Sequence, residues 1–212
     1  GGGHDRTAED MADLCSQLNA ELGVKSMKLK AGVMNPREEV RILELCRKNL
    51  GDDFGLRIDP NGVWSVTTAV QMGKIMEDLN IEYFEDPSWG LEGNAAVRKQ
   101  IRIPIATNMY PNKFDDLGPA IRMGAVDVIL TDLHYWEGPR GVKDLVSVCR
   151  TFGLDVAMHS GAEFGIELAA MIHTASTIPQ MKFAGDAHYH YLTDDIIKGG
   201  LMKYEDGCIK VP

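Results

Sequence analysis

Residues 55–65 read Gly-Leu-Arg-Ile-Asp-Pro-Asn-Gly-Val-Trp-Ser, a short run that ends on an acid and enters a turn. Its length and apolar character predict a buried strand over 55–59. The three residues that follow are turn formers, and Ser65 stands in a capping position before a helical pattern. A strand that ends on a polar residue and turns into a helix is the repeating unit of an α/β fold.

The same unit recurs along the chain, because strand-like runs alternate with helix-like stretches. The predicted strands are Ser26–Lys30, Gly55–Asp59, Glu82–Glu85, Ile103–Thr107, Val126–Thr131, Asp155–His159 and Lys182–Asp186. The predicted helices are Thr7–Leu22, Pro36–Asn49, Ser65–Leu79, Ala95–Gln100, Asp115–Met123, Pro139–Thr151 and Gly165–Ala175. Short buried strands joined by amphipathic helices favour a parallel sheet.

A polar residue ends nearly every predicted strand. The set is Asp59, Glu85, Asn108, Asp132 and His159, and successive members are 26, 23, 24 and 27 residues apart. In an open doubly wound sheet, polar groups gather at the switch point, whereas in a closed barrel every strand end faces one shared mouth. The pattern therefore predicts an α/β fold of the TIM-type (β/α) barrel kind.

The barrel is expected to be incomplete. The first predicted element is a helix with no strand before it, and seven strands are found where a closed barrel of this type has eight. We expect residues 1–6, which open on three glycines, to be a linker or tag remnant. Residues 7–212 are then a partial barrel domain of about seven βα units.

Composition narrows the range of functions. The chain has 212 residues, of which 44% are hydrophobic and 25% charged, as in an ordinary globular domain. A formal net charge of −9 without any basic run argues against nucleic acid or a membrane surface as partner. Cys15, Cys46 and Cys149 lie in helical patterns among apolar neighbours, which predicts buried reduced thiols in a cytoplasmic protein.

Three of the strand-end residues form a candidate metal site. Asp59, Glu85 and Asn108 would bring two carboxylates and one amide oxygen to neighbouring strand ends. Hard cations such as Mg²⁺ prefer an all-oxygen set of this kind. Each residue taken singly is equally explained as a turn former, since Asp-Pro-Asn-Gly and Glu-Asp-Pro are turn sequences. The common register of the three favours the metal site.

Lys28 and Lys30 are candidate catalytic residues. Residues two apart in a strand share a face, so both lysines would point the same way. Two adjacent ammonium groups lower each other's pKa, and a neutral lysine is a competent general base. The alternative is a solvated edge strand that carries a lysine pair.

Asp132 and His159 are candidates for an acid–base pair. Neighbouring strand ends would bring the carboxylate to the imidazole, which orients the ring and raises its basicity. A lone histidine is more often a satisfied core residue, and the acid partner favours catalysis. His134 and His188 also follow predicted strands and could line the mouth. A zinc site built on His188 and His190 is a weaker alternative.

Together these segments resemble the enolase superfamily, and within it the glucarate dehydratase-like members of the mandelate racemase subgroup. The likeness runs in order from about Thr7 to the end of the chain. The segments that carry it are Lys28-Leu29-Lys30, Asp59-Pro60-Asn61-Gly62-Val63-Trp64-Ser65, Tyr83-Phe84-Glu85-Asp86-Pro87, Ala106-Thr107-Asn108-Met109 and Met158-His159-Ser160.

The resemblance implies a role for each matching position. Asp59, Glu85 and Asn108 would ligate Mg²⁺. Lys30 would be the base on one face of the substrate, with Lys28 beside it. His159, oriented by Asp132, would be the acid or base on the other face. The residues expected to contact substrate are Asn61, Ser160, His134 and His188.

The implied reaction is the Mg²⁺-dependent dehydration of an acid sugar, an aldarate or aldonate, to a 2-keto-3-deoxy acid. A racemase or epimerase acting through the same site, and a truncated barrel without activity, remain alternatives. We expect a small sugar acid and a second copy of the chain as partners.

Two departures from the family pattern stand out. Gly161-Ala162-Glu163 replaces the usual Asn after His-Ser, and the N-terminal capping domain has no counterpart in the chain.

Overall fold

The computed structural model describes residues 6–212, so nearly all of the predicted linker at 1–6 lies outside the described residues. Helices and strands alternate from the first element onward. The helices are α1 (Ala8–Leu22), α2 (Pro36–Leu50), α3 (Val66–Met76), α4 (Gly90–Arg98), α5 (Phe114–Met123), α6 (Gly138–Phe152) and α7 (Gly165–Ser176). The strands are β1 (Ser26–Lys30), β2 (Gly55–Asp59), β3 (Ile81–Glu85), β4 (Ile105–Thr107), β5 (Val128–Thr131) and β6 (Asp155–Met158).

All six strands are parallel and lie in the order β1-β2-β3-β4-β5-β6. Each strand pairs with its sequence neighbour, as right-handed βαβ units require. The sheet curls into part of a barrel, so the predicted incomplete TIM-type barrel is confirmed. Lys30 stands opposite Asp59 in the β1–β2 register, which already brings a predicted base to a predicted ligand.

The prediction of a seventh strand is wrong. The run 182–186 lies beside β6, but only Met181 forms a bridge, with Val156, and the Asp186 amide donates to Met158 O at 2.9 Å. This run has β6 on one side and no strand on the other within residues 6–212. Exposed Ala184 and Gly185 give it little to pack, so the ladder stops after one bridge.

Local signals explain most helix boundaries. Thr7 forms the predicted capping box with Asp10, whose amide donates to Thr7 Oγ1 at 3.1 Å. Ser65 caps α3 by accepting from the Thr68 amide at 3.1 Å. The largest differences from the predicted boundaries are that α4 begins at Gly90 rather than Ala95 and that a 3₁₀ turn over Glu77–Leu79 follows α3.

The molecule buries two apolar layers. The larger one lies between the sheet and its helices and includes Cys15, Cys46 and Cys149, so their predicted burial is confirmed. The smaller one fills the inside of the curled sheet and consists of Tyr83, Ala106, Val128, Leu130 and Ala157, with Phe183 against it. No helix within the described part of the chain is long and apolar enough to cross a membrane.

Candidate functional site

The five predicted strand-end residues lie along one edge of the sheet. Asp59 and Glu85 are the last residues of β2 and β3, and Asn108, Asp132 and His159 directly follow β4, β5 and β6. Because the carboxyl ends of parallel strands lie at one edge of the sheet, residues that end successive strands come close together. Asp59 and Glu85 are fully buried, and His159 is only 7% exposed. Charged side chains are seldom fully buried unless they are paired, so the partners of these residues decide what they can do.

Asp59 is held from two sides. The ammonium group of Lys30 contacts Asp59 Oδ2, and the Asn61 amide donates to Oδ1 at 2.8 Å. Asn61 has a left-handed backbone, φ 51°, and its side chain is exposed. Its turn geometry therefore serves to orient Asp59. The predicted contact between Asn61 and a substrate stays a prediction.

Glu85 faces the second lysine. Lys28 Nζ lies 2.6 Å from Glu85 Oε2 and 4.0 Å from Asp59 Oδ2, and it also contacts Asp186. The expected lowering of the lysine pKa is wrong for Lys28. Burial alone lowers the pKa of Lys28, but the charges of Glu85, Asp186 and Asp59 together raise it far above its usual value.

The lysine pair also departs from the solvated-edge alternative. β1 is an edge strand of the sheet within residues 6–212, as that alternative assumed. The side chain of Lys28 is nevertheless 8% exposed, whereas that of Lys30 is 44% exposed. Lys28 is therefore a buried charge paired with three acids, and Lys30 is the more accessible amine at the mouth.

The oxygen atoms of the predicted ligands fit a divalent cation. Glu85 Oε1 and Asn108 Oδ1 are buried and have no hydrogen-bond partner among residues 6–212. A buried acceptor without a donor costs free energy unless a cation or water satisfies it. Together with Asp59, these atoms supply the carboxylate and amide donors that Mg²⁺ prefers.

Within the described residues, no three His, Cys, Asp or Glu side chains are arranged to hold a metal by themselves. These residues give the zinc alternative no support, and the His190 ring packs against Tyr191 with centroids 3.9 Å apart and planes tilted by 41°. A cation at Asp59 and Glu85 would draw its third protein ligand from Asn108, which is not one of those four residue types.

His159 and Asp132 form the predicted pair. His159 Nδ1 lies 3.2 Å from Asp132 Oδ2, and the His134 amide donates to Asp132 Oδ1 at 2.7 Å. Burial alone raises the pKa of Asp132, but the hydrogen bonds from His159 and His134 lower it below its usual value. On the other side of the ring, Nε2 lies 3.1 Å from Asn108 Nδ2.

The other predicted contact residues lie around this pair. The ring of His134 is exposed and lies 3.0 Å from Glu167 Oε1. Ser160 directly follows His159, and its hydroxyl lies 3.5 Å from His188 Nδ1. The structure therefore brings His188 to Ser160, although the two are 28 residues apart.

Several buried polar residues at or below this edge were not predicted. Arg57, only 2% exposed, donates to Glu82 Oε2 at 2.7 Å and to Ala184 O at 2.9 Å. Its guanidinium lies 4.8 Å from the Tyr83 ring centroid and 3.5 Å from Asp186 Oδ1. Arg57 thus ties β2 to the segment after β6 across the inside of the barrel. Arg57 is two residues before Asp59 in β2, so strand geometry could have placed both side chains on the same face of the sheet.

Asp86 and Glu39 fix the loops that carry site residues. Asp86 accepts from Thr107 Oγ1 at 2.5 Å and from the Asn108 amide at 3.1 Å, which joins the ends of β3 and β4. Burial raises the pKa of Asp86 to about 6. Glu39 accepts from the amides of residues 32, 33 and 34 at 3.0, 2.9 and 2.8 Å, directly after β1. No local pattern indicates the Glu39 contacts, which join a helix to a loop.

Comparison with known proteins places this geometry in a family. Residues 10–212 match the family described as enolase C-terminal domain-like. A protein of Streptomyces coelicolor named probable glucarate dehydratase is 41% identical over 210 residues, which cover 96% of this chain and 47% of that protein. The L-talarate/galactarate dehydratase of Salmonella typhimurium is 30% identical over 155 residues, which cover 72% of this chain and 39% of that protein.

Solved structures agree with the sequence relatives. An enolase of Pseudomonas fluorescens Pf0-1, crystallised with magnesium, potassium and tartrate, superposes with a TM-score of 0.94 at 38% identity. The match covers 99% of this chain and 49% of that one. The chain therefore spans about half the length of these relatives or less.

Proposed function

The chain belongs to the enolase C-terminal domain-like family, and from that premise we propose that it is the barrel part of a Mg²⁺-dependent acid-sugar dehydratase. The observation that carries the proposal is that each predicted metal ligand lies next to a predicted lysine or histidine of the reaction. Asp59 contacts Lys30, Glu85 contacts Lys28, and Asn108 lies 3.1 Å from His159. A substrate carboxylate held by a cation at Asp59, Glu85 and Asn108 would have its neighbouring carbon between Lys30 and His159.

Asp59, Glu85 and Asn108 are the residues that would hold the metal in this proposal. The buried atoms Glu85 Oε1 and Asn108 Oδ1, which have no hydrogen-bond partner among residues 6–212, support that role. When bound, Mg²⁺ supplies positive charge that stabilises negative charge on the substrate carboxylate. Magnesium in the similar enolase of Pseudomonas fluorescens supports the choice of metal.

The proposed reaction has two proton transfers. Lys30, the more accessible lysine, removes the proton on the carbon beside the carboxylate, and that C–H electron pair forms the new C=C bond. Lys28, which stays charged beside Glu85 and Asp186, stabilises the negative charge that develops on the carboxylate. The hydroxyl on the next carbon leaves as water with a proton from His159. The resulting enol tautomerises to the 2-keto-3-deoxy acid.

Asp132 has a positioning role in this proposal. Its hydrogen bond to Nδ1 fixes the His159 ring and leaves Nε2 directed away from Asp132. Removal of Asp132 would let the ring rotate and change tautomer. We further propose that Asn61, Ser160, His134 and His188 contact the substrate, and that residues 7–212 function as one partial barrel domain. We also propose that the protein is cytoplasmic and that it self-associates.

The experiment is to supply Mg²⁺ and a panel of aldonates and aldarates to purified protein that contains this chain. A 2-keto product, trapped as its semicarbazone, is the expected result. Absence of product from every acid in the panel would overturn the dehydratase proposal. Chelation with EDTA should stop the reaction, and added Mg²⁺ should restore it.

A racemase or epimerase is the second candidate, because Lys30 and His159 each adjoin a different proposed ligand. Two acid–base groups can remove a proton from one face and return it to the other without any leaving group. NMR in D₂O separates the two activities. Deuterium at the carbon beside the carboxylate, with no loss of the neighbouring hydroxyl, would favour the racemase and contradict the dehydratase.

A further inference from the structure

The loop after β6 contains a buried acid that the proposed reaction does not use. Glu163 is 3% exposed, and its Oε2 contacts the Ser160 hydroxyl. Its other oxygen, Oε1, is buried and has no hydrogen-bond partner among residues 6–212. A carboxylate oxygen in this state can accept a hydrogen bond from a ligand.

Glu163 adjoins the proposed reaction centre through two residues. Ser160 directly follows His159, and Ser160 Oγ lies 3.5 Å from His188 Nδ1. Burial lowers the pKa of His188 and Asp186 raises it, while the charges of Lys30 and Lys28 lower it further. His188 follows Asp186 by two residues, and Asp186 contacts Lys28 at the mouth. The row Glu163, Ser160 and His188 extends the mouth beyond His159.

The electrostatic environment of this row is negative. Burial raises the pKa of Glu163, backbone amides of Glu163 and His188 lower it, and the charges of Glu167 and Asp186 raise it further. Within the part of the chain that the structure describes, no Lys or Arg forms an ion pair with Glu163. Lys28 and Lys30 are paired with Asp59, Glu85 and Asp186.

A second carboxylate on the substrate would bind weakly beside Glu163. A carboxylate carries acceptors only, so it would leave Glu163 Oε1 without a donor and would add negative charge to a negative site. Sites that bind carboxylates usually supply Arg or Lys. A hydroxyl group can donate to Glu163 Oε1, because the single hydroxyl proton of Ser160 already goes to Glu163 Oε2.

We propose that Glu163, with Ser160 and His188, forms a subsite that binds the hydroxylated end of the acid sugar, remote from its carboxylate, and so selects aldonates over aldarates. This inference rests on the proposed function, because it assumes that the substrate's first carboxylate binds at Asp59, Glu85 and Asn108. It assigns Glu163 a role in specificity and none in the chemical step.

The test is a comparison of affinities by calorimetry, with Mg²⁺ present, for acids that differ only at the remote carbon. The matched pairs are D-gluconate with D-glucarate and D-galactonate with galactarate. We expect the aldonate of at least one pair to bind about tenfold or more tightly than its aldarate, the factor that one hydrogen bond to a charged acceptor supplies. Tighter binding of the diacid in both pairs, equal affinities, or binding of neither member would overturn the subsite.

The variant Glu163→Gln separates specificity from structure. It keeps the size of the side chain but removes its charge, so the aldonate preference should fall to about threefold or less. The matched control is Glu44→Gln, which removes the same charge at an exposed ion pair with Arg37 while the contact of Glu163 with Ser160 is kept. An unchanged preference in Glu163→Gln, or an equal change in both variants, contradicts the subsite.

A loss of stability alone would not produce this result, because unfolding lowers the amount of active protein and leaves the ratio of affinities unchanged. Thermal melts of each variant identify any such loss. The outcome is also independent of the dehydratase proposal: selective aldonate binding without a 2-keto product would overturn the reaction and leave the subsite intact.

Discussion

Asn108 Nδ2 lies 3.1 Å from His159 Nε2, while His159 Nδ1 lies 3.2 Å from Asp132 Oδ2. If the amide donates to Nε2, the ring carries its proton on Nδ1, where Asp132 accepts it. The same amide then turns its oxygen away from the ring, and that oxygen is the buried Oδ1 without a hydrogen-bond partner among residues 6–212. One hydrogen bond thus sets both the tautomer of the neutral His159 ring and the orientation of the proposed ligand, and the ring acts as the acid once Nε2 has gained a proton.

The first prediction concerns metal binding. Mg²⁺ at about 100 times its Kd should stabilise the fold by about 2.7 kcal/mol, which raises the Tm of a domain of this size by roughly 5–10 °C. Glu85→Gln should remove most of that shift. Glu44→Gln, at an exposed ion pair with Arg37, is the control and should keep it. Differential scanning fluorimetry with Mg²⁺ and with EDTA makes the comparison, and an equal shift in Glu85→Gln would contradict the proposed site.

The second prediction concerns the base. Lys30→Met should lower kcat by about 10²–10⁴-fold, the usual contribution of a positioned acid–base group. The Mg²⁺-dependent rise in Tm should persist, because Lys30 is not a ligand. Lys182→Met, at a surface pair with Asp155, should leave kcat unchanged. Steady-state rates of 2-keto acid formation check the prediction. A Lys30→Met protein with the normal rate would rule out Lys30 as the base.

The third prediction concerns pH. The folded-state pKa of Asp132 lies below its ordinary value of 3.8, so its charged form is favoured by folding. The resulting stabilisation is fully present above pH 3.8 and is lost as the pH falls through the lower folded-state pKa. Asp132→Asn should therefore be less stable than the parent at pH 7, and the difference should shrink as the pH drops below that value. Urea midpoints between neutral and acid pH measure it, and a constant difference would contradict the assignment.

The fourth prediction concerns the inside of the barrel. Arg57→Met removes the buried guanidinium that pairs with Glu82 and Asp186; since Asp186 keeps its contact with Lys28, the loss should be about 3 kcal/mol, the lower end of the usual range. Arg98→Met breaks an exposed pair with Asp127 and should cost no more than about 1 kcal/mol. Urea unfolding of both variants provides the measurement. Similar losses in the two variants would show that Arg57 does not hold the segment after β6.

The fifth prediction concerns the loop after Lys30. Glu39→Gln replaces one of two carboxylate oxygens that accept three backbone amides, and should cost about 1–3 kcal/mol of stability. Glu38→Gln, at the neighbouring position, removes an exposed pair with Arg41 at 3.6 Å and should have little effect. Chemical denaturation distinguishes the two, and a stable Glu39→Gln protein would contradict the loop-fixing role.

The sequence by itself determined the alternation of elements and the identity of the strand ends. Asp59, Glu85, Asn108, Asp132 and His159 could be placed because each closes one βα unit, and strand geometry brings such residues to a common edge. Capping at Thr7 and Ser65 was readable for a similar reason, since each cap joins residues three apart. Local sequence patterns therefore sufficed to predict the strand ends and these two helix caps.

Only the tertiary structure decided which charges meet inside the barrel. The contacts of Lys28 and Arg57 with Asp186, and that of Ser160 with His188, depend on the curvature of the sheet, which no local pattern encodes. The charges of Glu85, Asp186 and Asp59 outweigh burial and raise the pKa of Lys28, where its neighbour Lys30 alone predicted a lower one. The prediction of a seventh strand was wrong because exposed Ala184 and Gly185 give the run 182–186 little to pack, so its pairing with β6 stops after one bridge.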